Sequence, residues 1–144
     1  MDMRVLIDAN ILIDFIAMRQ PYYANARRIV DACDRKLLAG CIAAHSIPNI
    51  YYVLRKNMSD ADRKEVLKSL CDIFTIESID RHKIMDALED KNFKDIEDCL
   101  QMRCAVAFRS DYIVTRNMGD FVNSSIPCIG PDAFCQRFLN EVGS

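Results

Sequence analysis

Apolar and polar positions change rhythm several times along the chain, and each change marks an element. Val5, Leu6 and Ile7 form an unbroken apolar run that stops at Asp8. Such a run fits a central strand of a parallel sheet, buried on both faces. A short helix follows over 11–17, then a longer one over 22–38, with Pro21 at its first turn, Arg35 and Lys36 in its last, and Gly40 as its stop. A buried strand over 41–44 leads to a helix that starts at His45 and Ser46, runs to about residue 57, and turns Ile50, Val53 and Leu54 inward. Ser59 caps a helix over 60–71. Then come a strand over 73–76, helices over 80–90 and 95–108, a strand within 111–115, a turn over 116–120 and a strand near 126–129. Gly130 and Pro131 open a terminal helix from Asp132 to about Glu141. Strands that alternate with helices predict an α/β fold: a parallel sheet with right-handed crossovers and helices on both faces.

Length and composition narrow this picture. At 144 residues the chain is read as one domain, 1–144, with no repeat, low-complexity stretch or linker to divide it. The 51% hydrophobic and 28% charged content fits a soluble globular protein. No apolar run approaches the ~20 residues that span a bilayer, so no membrane association is expected. The first residues show no secretory signal. Seven cysteines, none in a C-x-x-C pair and most inside apolar runs, predict reduced, buried thiols and a cytoplasmic protein.

The net charge of −2 provides no general attraction to nucleic acid, so any such binding must rest on a local basic patch or on metal ions. The basic pairs Arg27-Arg28, Arg55-Lys56 and Arg63-Lys64 read as solvated helix faces, one or two of which could line a nucleic-acid groove. His45 and His82 are expected to be structural or exposed.

The candidate chemistry is acidic. Asp8 ends the first strand, at the edge where open α/β sheets hold ligands, and a carboxylate there needs hydrogen bonds, a partner or a cation. Asp95 and Asp98 open a helix, and the plain reading is an N-cap and a third helical residue. The same helix dipole keeps both ionised, as metal ligands must be. Asp120 follows the strand and turn YIVTRNMG, where a turn aspartate is ordinary. Asp14 reads as a solvated helix residue and Asp111 as a loop residue entering a strand.

Asp8, Asp98 and Asp120 nevertheless all fall on one edge of the predicted sheet. Converging carboxylates raise one another's pKa unless a hard cation such as Mg²⁺ or Mn²⁺ lies between them. Such an ion activates water and neutralises a phosphoryl group. Thr115 and Asn117 would support the carboxylates or the attacking water, and Arg116 is either a phosphate contact or an ordinary turn arginine.

Taken in order, VLIDAN, DIEDCLQMRCA, DYIVTRNMGDF and IPCIGPDAF resemble a PIN-domain protein, closest in layout to the VapC-like toxin branch. The resemblance implies a three-layer α/β/α fold and a Mg²⁺- or Mn²⁺-dependent endoribonuclease that hydrolyses RNA phosphodiester bonds. It implies the toxin of a toxin–antitoxin pair, an antitoxin protein as partner, and a homodimer. It places the metal on Asp8, Asp98 and Asp120, with Thr115 and Asn117 as the polar residues after the fourth strand and Asp95 in support.

One position departs from the family pattern. Asn49 falls about where the family carries a glutamate, which leaves a neutral oxygen in place of a charge. The alternative is therefore a weakened or inactive PIN-like module that binds nucleic acid or protein. A receiver-type signalling domain also gathers aspartates at a sheet edge. It needs a lysine after its last strand, and Ile129-Gly-Pro-Asp-Ala has none.

Overall fold

The computed structural model describes residues 3–140. The first apolar run is strand β1 (Arg4–Ile7), followed by α1 (Ala9–Ile16), α2 (Tyr23–Asp34) and β2 (Ala39–Ala43). Next come α3 (Ser46–Val53), its 3₁₀ extension Leu54–Lys56, α4 (Asp60–Ile73), β3 (Thr75–Glu77), α5 (Arg81–Glu89) and α6 (Ile96–Ala107). Strand β4 (Tyr112–Val114), a 3₁₀ turn (Met118–Phe121), β5 (Cys128–Ile129) and α7 (Pro131–Phe134) complete the order. The chain widens after α7 into a π-type turn, Cys135–Leu139. Glu141, the expected end of that helix, lies outside the described residues.

All strand pairs are parallel, in the order β3-β2-β1-β4-β5. The chain starts in the middle, builds outward through β2 and β3, and returns to the other side of β1 for β4 and β5. The reversal falls between β1 and β4, and crevices at the carboxyl ends of strands open at such points.

Strand alternation separates two cores. Val5, Ile7, Ile42 and Val114 pack with apolar residues of α1, α2, α3, α4 and the segment from α7 onward. Leu6, Cys41, Ala43 and Ile113 pack on the opposite face with Cys99, Met102, Cys104 and Ala105 of α6 and Ala87 of α5. The expected three layers, α/β/α, are therefore present, with a central strand wholly apolar because it serves both faces.

Element ends differ from the sequence expectation at a few points, each for a local reason. Helix α2 stops at Asp34, because Lys36 adopts a left-handed φ of 63°. The Lys36 and Leu37 N–H groups then fold back on the carbonyls of Cys33 (3.1 Å) and Ala32 (2.9 Å). Arg35 and Lys36 thus lie beyond the last turn. Gly40 is not the helix stop but a member of β2. A Cβ there would lie 2.8 Å from both Cys33 Sγ and a Phe74 ring carbon, so the strand can approach α2 this closely only with glycine. Ile73 belongs to α4, whose last turn closes through the Phe74 N–H to Leu70 O (2.8 Å), so β3 begins at Thr75.

All seven cysteines are free thiols, and Cys33, Cys41, Cys99, Cys104 and Cys135 are buried. Burial pushes the Cys104 and Cys135 thiols up to about 11, which makes them packing groups. No helix among the described residues is long and apolar enough to cross a membrane.

Candidate metal centre

Asp8 occupies the N-cap position of α1. Its N–H extends the β1–β4 pairing to Val114 O (3.0 Å), and its carbonyl accepts from the Ile11 N–H (3.0 Å). Its side chain does not cap the helix. The Thr115 hydroxyl donates to Oδ2 at 2.7 Å, the Gln101 amide to Oδ1 at 3.0 Å, and the Asn10 amide to Oδ2 at 3.4 Å. All three donors are neutral, and the residue is only 8% exposed. Burial raises the Asp8 pKa, and the hydrogen bond from Thr115 is the foremost influence opposing it. Neutral donors soften the desolvation of a charge without balancing it.

Asp98 reaches the same place from α6. Asp95 caps that helix, accepting the Asp98 N–H at 3.1 Å, so the capping reading of this pair describes the backbone correctly. The Asp98 carboxylate is left for the cleft. Its pKa rises to about 6, first through burial and then through the charges of Asp95, Asp120, Asp8 and Glu97. Asp120 arrives on the 3₁₀ turn after β4. Thr115 is fully buried behind the cleft and accepts the Asn117 N–H at 2.9 Å, which directs its own proton to Asp8.

These groups wall a cleft of about 160 Å³ at the carboxyl edge of the sheet. Asp8, Asp98, Asp120, Asn117 and Asn49 all line it. Asp95 instead lines an adjoining hollow of about 220 Å³, together with Phe93 and the shared residues Asp98 and Asp120.

Sequence reasoning missed Asn10, His45, Ser46, Glu97 and Gln101, which share the cleft wall. Helical spacing could have found one of them, since Gln101 lies three residues after Asp98 and four after Glu97. His45 is half-buried on the cleft wall, and burial lowers its pKa against the pull of Glu97, Asp8 and Asp95. Its Nδ1 and the Oε1 of Gln101 are buried without a protein partner.

Asp14 corrects the sequence reading. It is fully buried, not solvated. Arg116 grips it with Nε on Oδ2 at 2.7 Å and Nη2 on Oδ1 at 3.2 Å, while the guanidinium lies 3.9 Å from the centre of the Tyr22 ring. Arg116 is therefore an internal tie that holds the segment between Thr115 and Asn117, not a free phosphate contact.

The donor set around the cleft consists chiefly of carboxylate and amide oxygens, which suits a hard cation such as Mg²⁺ or Mn²⁺. The raised Asp98 carboxyl, set among other acids, and the unpartnered Gln101 Oε1 fit the same chemistry. Among the described residues no three His, Cys, Asp or Glu groups stand close enough together to enclose an ion.

A parallel sheet reversing at its central strand, with acidic residues from three separated segments at its carboxyl edge, is the arrangement of a PIN domain. The PIN-domain family pattern matches residues 4–119, and the chain belongs to that family. It is 30% identical over 145 aligned residues to Ribonuclease VapC1 of Aquifex aeolicus (strain VF5), covering 94% of this chain and 95% of that protein. Its fold is similar to a chain of VapBC2 from Rickettsia felis, solved bound to a DNA fragment from its promoter. That match has a TM-score of 0.62 at 17% identity and covers 89% of this chain and 98% of the other. A chain of FitAcB from Neisseria gonorrhoeae matches with a TM-score of 0.60 at 15% identity, over 88% of this chain and 97% of that one.

Proposed function

We propose that this protein is a divalent-metal-dependent endoribonuclease and the toxin of a toxin–antitoxin pair. PIN-domain ribonucleases generally depend on divalent metal, and the relative named Ribonuclease VapC1 matches nearly the whole chain. The structural neighbours, solved as VapBC and FitAB complexes, support an antitoxin partner. The observation that carries the reading is the convergence of Asp8, Asp98 and Asp120 on one cleft, where the Asp98 carboxyl is driven up to about 6.

Asp8, Asp98 and Asp120 would hold the ion, with Asn49 and Asn117 offering neutral oxygens beside them. Bound there, it supplies a Lewis acid that activates water and offsets charge on the scissile phosphate. The chain does the rest by positioning. Thr115 and Gln101 hold Asp8 in one orientation, and the Asn117 backbone orients Thr115. Glu97 adds a carboxylate to the wall on which Asn49 carries none, which favours an active enzyme over the inactive binding module. Metal-dependent cutting of mixed RNA with Mn²⁺, compared between the parent and Asp8→Asn, tests the assignment. Cutting that survives this substitution removes it.

A further inference from the structure

We propose that the outer face of α3 and its 3₁₀ extension, carrying Tyr52, Arg55 and Lys56, is the track along which single-stranded RNA leads into the carboxylate cleft. The proposal rests on the ribonuclease reading and names the surface that binds its substrate. Helix α3 is already part of the site, because Ser46 and Asn49 line the cleft. Tyr52 lies one helical turn beyond Asn49, on the neighbouring part of the same face, and Arg55 and Lys56 lie one turn further.

Tyr52 is 60% exposed, on a helix that packs its other side into the core. The Arg55 guanidinium stacks over that ring at 3.8 Å, and its Nη1 donates to Tyr52 O at 2.9 Å. Arg63 repeats the device on the next helix, lying 4.1 Å over Tyr51 and donating to Tyr51 O at 2.9 Å. A planar aromatic with an arginine on it is a platform on which an unstacked base can sit in any sequence.

The cations on this face have no close ion-pair partner. Among the described residues, Arg55, Lys56 and Arg63 have no carboxylate within 4.0 Å. Asp60, the acid next along the chain, is held by Lys64 at 3.0 Å and by the Tyr51 hydroxyl. Three unpaired cations therefore stand on a chain of net charge −2, beside a cleft crowded with acids. That arrangement attracts a phosphate backbone locally and leaves its scissile phosphate to the metal ligands. Cation–aromatic pairs beside unpaired cations suit a single strand with splayed bases, which offers rings to stack and phosphates to the charges.

The test measures binding of a short, mixed-sequence, fluorescein-labelled single-stranded RNA by anisotropy, over a salt series. It is done without divalent metal, in the full chain carrying Asp8→Asn, so that the probe is not cut. On that background Tyr52→Ala is expected to weaken binding about tenfold, and Tyr52→Phe to leave it near the starting value. Arg55→Gln with Lys56→Gln is expected to flatten the dependence of log affinity on log salt by about 0.7 per residue. Removing the same charge at Arg35 and Lys36, away from the cleft, is the control and should leave affinity near the starting value.

Unchanged affinity and salt slope in the track variants overturn the proposal, as does an equal loss in the control pair. So does a change of oligomeric state on light scattering, which would assign the face to a protein interface. Because binding is read without hydrolysis, the two readings fail separately. Weakened binding alongside cleavage that ignores Asp8→Asn keeps the track and removes the carboxylate assignment.

Discussion

Asp8 stands just before α1 and Asp14 within it, and both carboxylates are almost removed from water, at 8% and 0% exposure. Their partners differ in kind. Asp14 meets a guanidinium in a two-point grip, so its charge is neutralised inside the fold. Asp8 meets a hydroxyl and two amides, so its charge is held in place but not cancelled, and it faces a cleft with three more acids. Burial alone therefore does not mark a functional acid. What sets Asp8 apart is a buried carboxylate held by neutral donors alone, with no charged partner.

The sharpest break in this comparison is the same substitution at both sites. Asp8→Asn is expected to cut Mn²⁺-dependent RNA cleavage on the order of 10³-fold, the loss of several kcal/mol of metal-assisted stabilisation. It should hold or raise thermal stability, because a costly buried charge becomes a neutral amide of the same shape. Asp14→Asn should do the reverse and lower stability by about 3 kcal/mol, since it strands Arg116 without its partner. Urea unfolding alongside a cleavage assay separates the two. Equal destabilisation by both would erase the distinction.

A smaller effect probes how Asp8 is held. Thr115→Val keeps the shape of a fully buried side chain and removes the 2.7 Å hydrogen bond. A group that orients a ligand in this way typically contributes about 10–100-fold to activity or metal affinity. Mn²⁺ affinity read by calorimetry should fall by that amount while the secondary structure is kept.

The smallest effect is a pH dependence. The folded-state pKa of Asp98 is about 6, above the ordinary 3.8, so the folded protein takes up this proton more readily than the unfolded chain. Without divalent metal, stability contributed by this group should therefore increase as pH falls from 7 through 6 and level off below about 4. Asp98→Asn should flatten that part of the melting-temperature profile. Saturating Mn²⁺ should do likewise in the parent, by favouring the charged form.

Much of the fold was legible in the chain itself. The unbroken run Val5-Leu6-Ile7 could only be a strand covered on both faces, and its end at Asp8 put an acid on the ligand edge of the sheet. The alternation of strands and helices carried the three layers, and Ser59 and Asp95 cap α4 and α6 by local chemistry that spacing reveals. Asp14 and Arg116 were not legible, because nothing within a few residues of either shows that 102 positions of intervening chain will be folded away to join them.

The same holds for Gln101, which reaches Asp8 across 93 positions, and for Glu97, His45 and Ser46 on the cleft wall. Local pattern is governed by nearest neighbours and by which face of an element is apolar, so sequence determined the elements, the sheet and the edge where acids gather. The pairing of charges depends on close approach between distant segments, and electrostatic energy is sensitive to separations and burial that only packing sets. Tertiary structure alone therefore decided which buried aspartate is tied off by an arginine and which is left without a charged partner.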